Sequence, residues 1–88
     1  MKIVEWMSGI WHCLGPFPGT FNICDESISL IQNHNNDFIV MRVTKVIDSD
    51  YGIPINTFYY STYDEAKAQY DKFKSELEWH VKQTAESN

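Results

Sequence analysis

The chain reads as an α+β domain. The expected architecture is a three-stranded antiparallel meander with a C-terminal amphipathic helix and an N-terminal helix or, alternatively, an N-terminal β-hairpin. Three observations predict it. Residues 62–65, TYDE, form a capping box, and Ala66, Tyr70, Phe73, Leu77 and Val81 then recur at helical spacing. The runs 27–32, 38–47 and 53–60 are rich in β-branched and aromatic residues and are separated by Asn- and Asp-rich turns. Ahead of them, the GPFPG stretch at 15–19 interrupts any regular element, because it packs two prolines and two glycines into five residues.

The first segment, 3–14, has two readings. As a helix it gathers Ile3, Val4, Trp6, Met7, Ile10, Trp11 and Leu14 on one side and Glu5, Ser8, Gly9 and His12 on the other. The apolar arc then spans roughly 160°. As a hairpin, IVEWM and IWHCL pair across Ser8-Gly9. Strand alternation is poor, since Trp6-Met7 and Ile10-Trp11 are adjacent apolar pairs that a strand sends to opposite faces. The helix is therefore the favoured reading, although Gly9, two Trp and the β-branched residues are mediocre helix formers.

Next come the strands. Ser27 to Gln32 alternates, with Ile28 and Leu30 on one face, and NHNND at 33–37 supplies residues that tolerate left-handed backbone. The run FIVMRVTKVI at 38–47 is the longest and reads as the central strand, followed by a second turn at Asp48 to Gly52. Pro54 lacks a donor, so the last strand, 53–60, belongs at an edge or begins at that proline. Thr62 is the expected N-cap of the final helix, with Glu65 reaching back to it. The compact domain is expected over 1–83, with 84–88 a frayed polar tail. The resulting order, α-β-β-β-α, is similar to that of the double-stranded-RNA-binding domain. That family grips phosphate with a basic start to its second helix, whereas TYDEAK at 62–67 is acidic, so the likeness implies no function.

Composition narrows the function classes. At 88 residues one domain is expected, and 43% hydrophobic content argues for a real core. Aromatic residues make up 15% of the chain, a high load for one small core, so some rings should reach the surface as contact anchors. The net charge of -5 weighs against direct nucleic-acid or anionic-membrane binding and suits solubility or a basic partner. The N-terminus lacks the pattern of a signal peptide, because Glu5 and His12 interrupt its apolar run, and the expected location is the cytoplasm.

Most motifs fail on spacing. Cys13 and Cys24 are expected as thiols in a reducing compartment. His12, Cys13, Cys24 and His34 lack the paired spacing of a zinc site, so no metal is expected. The stretch DSDYG at 48–52 places Gly fifth instead of sixth and does not make a calcium loop. No cofactor motif is present, and the chain is expected not to be an enzyme.

Two features point instead to binding. Trp79 falls opposite the apolar helix stripe. Phe38, Val40, Phe58 and Tyr60 share a sheet face that would lie open if the helices covered only the other one. With Asp48, Asp50, Glu76 and Glu78 as acidic contacts, these residues suggest a non-enzymatic protein–protein interaction module, with homodimerisation as one outcome. A sharper version is a stoichiometric inhibitor of a basic nucleic-acid-handling protein. Small acidic α/β proteins of this type occur among phage anti-defence proteins, a resemblance of type that no motif carries. The alternative is a small-molecule or nucleotide binder with a pocket between the N-terminal segment and the sheet, lined by Trp6, Trp11, His12 and Tyr59.

Overall fold

The computed structural model describes residues 1–14, 18–19, 21–47 and 55–86, with the side chains of Cys13, Leu14, Phe21 and Glu86 left aside. Four strands are followed by one helix: β1 (Lys2–Leu14), β2 (Phe21–Gln32), β3 (Phe38–Val46), β4 (Ile55–Tyr60) and α1 (Tyr63–Glu86). The strands form one antiparallel sheet in the order β1-β2-β3-β4, and α1 lies across one face of it. The α+β class and the C-terminal helix agree with the sequence; the three-strand count and the N-terminal helix do not. The turn at Asp48–Gly52, Pro54 and most of the 15–19 stop fall outside the described residues.

The N-terminal segment is neither a helix nor a hairpin. It is one 13-residue strand that runs straight through Ser8-Gly9 and pairs along its whole length with β2. The adjacent apolar pairs that argued for a helix have another cause: both faces of β1 are apolar. Met7 and Trp11 turn toward α1, while Trp6 and Ile10 turn away from it. A strand that is apolar on both sides imitates helical periodicity, and the β-branched and aromatic content then decides the outcome.

Gly9 has its own reason for being in a strand. A Cβ built there would stand 2.8 Å from Val81 Cγ2 and 3.5 Å from Leu77 Cδ1. The missing side chain lets α1 settle directly on the β1 backbone, a recurrent use of glycine inside strands.

The core forms where the predicted helix stripe meets the sheet. Ala66, Tyr70, Phe73 and Leu77 are buried against Ile28, Leu30 and Val40, with Met7, Trp11, Phe38, Tyr60 and Val81 packed around them. The helix start agrees with the sequence: the Glu65 amide donates to Thr62 Oγ1 at 3.3 Å, and the Thr62 hydroxyl donates to Glu65 Oε1 at 3.1 Å. The helix continues to Glu86, and Thr84 Oγ1 accepts the backbone N–H of His12 at 2.8 Å. The β2–β3 turn uses Asn36 in the left-handed region, at φ 65°, as its Asn-rich sequence predicts.

Near its start, α1 is tied to β1 by Lys67, whose ammonium donates to both Glu5 oxygens, at 2.8 and 2.9 Å, and lies 3.0 Å from Asp71. These bonds, Glu5 first, raise the Lys67 pKa well above its ordinary value. Burial, reinforced by the charge of Glu5, pushes the Tyr70 hydroxyl up as well.

The Gly9 contact makes a stability prediction. Gly9→Ala forces Val81 to shift and should cost about 1–2 kcal/mol, read as a lower urea midpoint. Combining it with Val81→Ala should cost less than the sum of the two single changes, because the second truncation removes the clashing methyl.

Candidate functional site

The register sorts the sheet into two surfaces. Toward α1 point Glu5, Met7, Gly9 and Trp11 of β1, Cys24, Glu26, Ile28 and Leu30 of β2, Phe38, Val40, Arg42 and Thr44 of β3, and Phe58 and Tyr60 of β4. Several contacts confirm this side. Phe58 lies 5.5 Å from Phe73 between ring centroids, Phe38 meets Tyr63 edge-on, and the Tyr60 hydroxyl donates to Gln69 Oε1 at 3.2 Å.

The candidate partner residues Phe38, Val40, Phe58 and Tyr60 therefore face the helix. Val40 is fully buried there, so the face they were expected to leave open is the one α1 covers. The reason lies in β3, where FIVMRVTKV is apolar on both sides, so alternation alone cannot choose which side the helix takes.

The opposite, outer face has no covering layer among the described residues. The shortest extent of the molecule is 16 Å, which is one sheet and one helix deep. Across this face run four rows: Ile3–Ile31–Ile39–Tyr59, Trp6–Ser29–Met41–Thr57, Ser8–Ser27–Val43–Ile55 and Ile10–Asp25–Lys45. Ile31 and Ile39 are buried within their row, but Ile3, Trp6, Ile10, Ile55 and Tyr59 each leave more than half of their surface to solvent, and Tyr59 reaches 72%. The only charges in these rows are Asp25 and Lys45. Together with Trp6, Ser8, Ser27 and Val43 they line an open hollow of about 440 Å³.

Of the residues proposed as a pocket lining, Trp6, His12 and Tyr59 lie on this outer face, with Trp6 on the β1 edge strand and Tyr59 on the opposite one. Trp11 is on the helix side, its indole stacked on His80 at 4.2 Å and 18°. The four do not converge, and a pocket between the N-terminal segment and the sheet has no place, because that segment is part of the sheet. Trp79 is 58% exposed and meets His80 edge-on at 5.2 Å. Glu78 is exposed, Glu76 receives Arg42, and Asp48 and Asp50 lie outside the described residues. Sequence reasoning missed Ile10, Asp25, Met41, Val43, Lys45 and Ile55; the available signal was the strict period of two, applied with the opposite face assigned to the helix.

On the helix side, Glu26 is a carboxylate with no exposed surface. Arg42 donates to its Oε1 from Nε, and Thr44 donates to the same oxygen at 3.1 Å. Arg42 also lies 3.5 Å from Glu76 and 5.2 Å from the centre of the Phe73 ring. Glu26 Oε2 and Trp11 Nε1 are buried without a hydrogen-bond partner. Cys24, two residues before Glu26, is a buried thiol. No group of three or more His, Cys, Asp and Glu among the described residues is placed to hold a metal ion, and no described helix is long and apolar enough to cross a membrane.

The cluster predicts an asymmetry. Arg42→Ala leaves Glu26 buried without its counter-charge and should cost about 3–5 kcal/mol, whereas Glu26→Gln combined with Arg42→Met should recover most of that loss. Equilibrium unfolding of the two variants checks this.

No protein-family model, curated protein or solved structure matches the chain.

Proposed function

We propose that this protein is a non-enzymatic binding module that docks a folded, positively charged protein on its outer sheet face. The supporting observation is a broad sheet surface, dominated by Trp6, Ile10, Ile55 and Tyr59, that no described element covers. A contiguous apolar surface of this kind on a small protein marks an interaction site more often than chance. Exposed Trp and Tyr supply large, rigid contact area, and the hollow between Trp6 and Val43 can accept one anchoring side chain from the partner.

Charge argues for the sign of the partner. The chain carries -5, yet among the described residues the four rows of the face hold one acid and one base, so affinity comes from apolar contact and the acidic remainder steers encounter. The finer reading, a stoichiometric inhibitor of a nucleic-acid-handling protein of the phage anti-defence type, rests on that acidic excess. The exposed carboxylates Asp64, Glu65, Asp71 and Glu78 on α1 support it. They are interspersed with Lys72, Lys74 and Lys82, so the helix is acidic on balance and not a continuous anionic strip.

A pull-down from the native host tests the reading. The wild-type chain should retain a stoichiometric basic partner at low salt. A variant carrying Ile55→Lys and Tyr59→Lys should lose it while keeping its melting temperature within a few degrees, since both side chains are solvent-exposed. Failure to recover any partner, or equal recovery by the variant, overturns the proposal. A melting temperature raised by a nucleotide or metabolite would instead favour small-molecule binding.

A further inference from the structure

We propose that two copies of this chain associate edge to edge through β1, in antiparallel register about Ser8, to give a continuous eight-stranded sheet. The inference concerns the free edge of β1 and stands independently of what docks on the outer face.

Backbone direction makes the first argument. Between Glu5 and Leu14 the β1–β2 register is unbroken, so amides of alternate residues point toward β2 and away from it. His12 donates its N–H to Thr84 and its neighbour Ile23 turns its carbonyl to Ile47 of the β3 side, which places His12 among the outward residues. Trp6, Ser8 and Ile10 share its parity. Their N–H and C=O groups therefore face away from the sheet, and no hydrogen bond from another described element reaches them.

The second argument is that this edge lacks the usual protection. Edge strands are kept from pairing by being short, by charge, by proline or by a bulge. β1 has 13 residues, its bulge lies back at Ile3/Glu5, and from Trp6 to Trp11 the sequence WMSGIW contains neither charge nor proline. Thr84 meets the strand edge at His12, beyond the open stretch.

The third argument identifies the occupant and the register. Two molecules of charge -5 repel, but the open stretch itself carries no charge, so a second β1 meets no like charge along it. Pairing Ser8 with Ser8 of the second copy sets Trp6 opposite Ile10 twice over, an aromatic–β-branched pair on the outer face, and these three central pairs use the open amides of Trp6, Ser8 and Ile10. The neighbouring register about Gly9 closes only the two Ser8–Ile10 pairs before it reaches the His12 amide, which Thr84 already holds. A two-fold arrangement of this kind is isologous and closes at two copies.

Solution mass across a concentration series tests the proposal. Wild type should move from 10.3 kDa toward twice that mass as concentration rises. Ser8→Pro should be monomeric wherever wild type is dimeric, because its missing N–H costs no bond to β2 and removes two across the dimer. Ser8→Lys, with an exposed side chain, provides a second variant should the proline disturb folding; opposed lysines should raise the dimer Kd by about tenfold or more. Mixing Ser8→Lys with Ser8→Glu should restore association, which only a register with residue 8 opposite residue 8 allows. Ile55→Lys should leave the dimer intact. A wild-type chain that stays monomeric at millimolar concentration overturns the proposal. So does a dimer that survives Ser8→Lys and Ser8→Pro, or one dissolved by Ile55→Lys, which would mark face-to-face contact. Host-partner capture by wild type, diluted to a concentration at which it is monomeric, reads the docking face separately.

Discussion

One helix for four strands is the constraint from which the rest of the molecule follows. The stripe Ala66–Tyr70–Phe73–Leu77 buries itself on Ile28, Leu30 and Val40, and this contact supplies nearly all of the fully buried apolar surface. At this size only roughly 60–65% of the unfolded chain's surface can be removed from water. The helix therefore has to sit close, and Gly9 is what lets it do so over β1. It has also to choose one face, and the choice leaves the other face of the same sheet without a second layer. Surface exposure here is a by-product of how the core is built.

Polar chemistry follows the same division. Charge concentrates on the helix side, where Lys67 bridges Glu5 and Asp71 at one end of α1 and Arg42 joins Glu26 to Glu76 further along it. The second of these clusters is partly desolvated and incompletely satisfied, since Glu26 Oε2 has no donor. Such arrangements contribute orientation more readily than net stability. Arg42 lies over Phe73 and reaches Glu76, so it links β3 to α1. The outer face, by contrast, is almost free of formal charge, so the two sides of the protein have different solvation chemistry although they share every strand.

Much of the fold was legible in residues that admit one local solution. Thr62 and Glu65 mark the helix start, the stripe to Val81 marks its buried side, and the Asn-rich turn at 33–37 marks a hairpin whose Asn36 is left-handed. The first segment was not legible, because Trp6 and Met7, and Ile10 and Trp11, serve opposite faces of one strand, and a two-sided apolar strand has the periodicity of a helix. The same ambiguity in β3 exchanged the covered and open faces. Alternation alone thereby assigns Phe38, Val40 and Tyr60 to the surface and gives Met41, Val43 and Ile55 to the covered side. Burial on both sides of a strand is a tertiary property, and no spacing rule within a single strand encodes which neighbour comes to rest on it.

The hydrogen bond from His12 to Thr84 has a further consequence for motion. Trp6, Ser8, Ile10 and His12 turn like-facing amides to the outer edge of β1, and of these the His12 amide is the one held by the last turns of the helix. Amide exchange along β1 should therefore be uneven: rapid at Trp6, Ser8 and Ile10 in the isolated chain, and slow at His12 for as long as the helix end stays docked. The His12 amide is a clock for fraying of the C-terminal turns, read from the opposite end of the sequence.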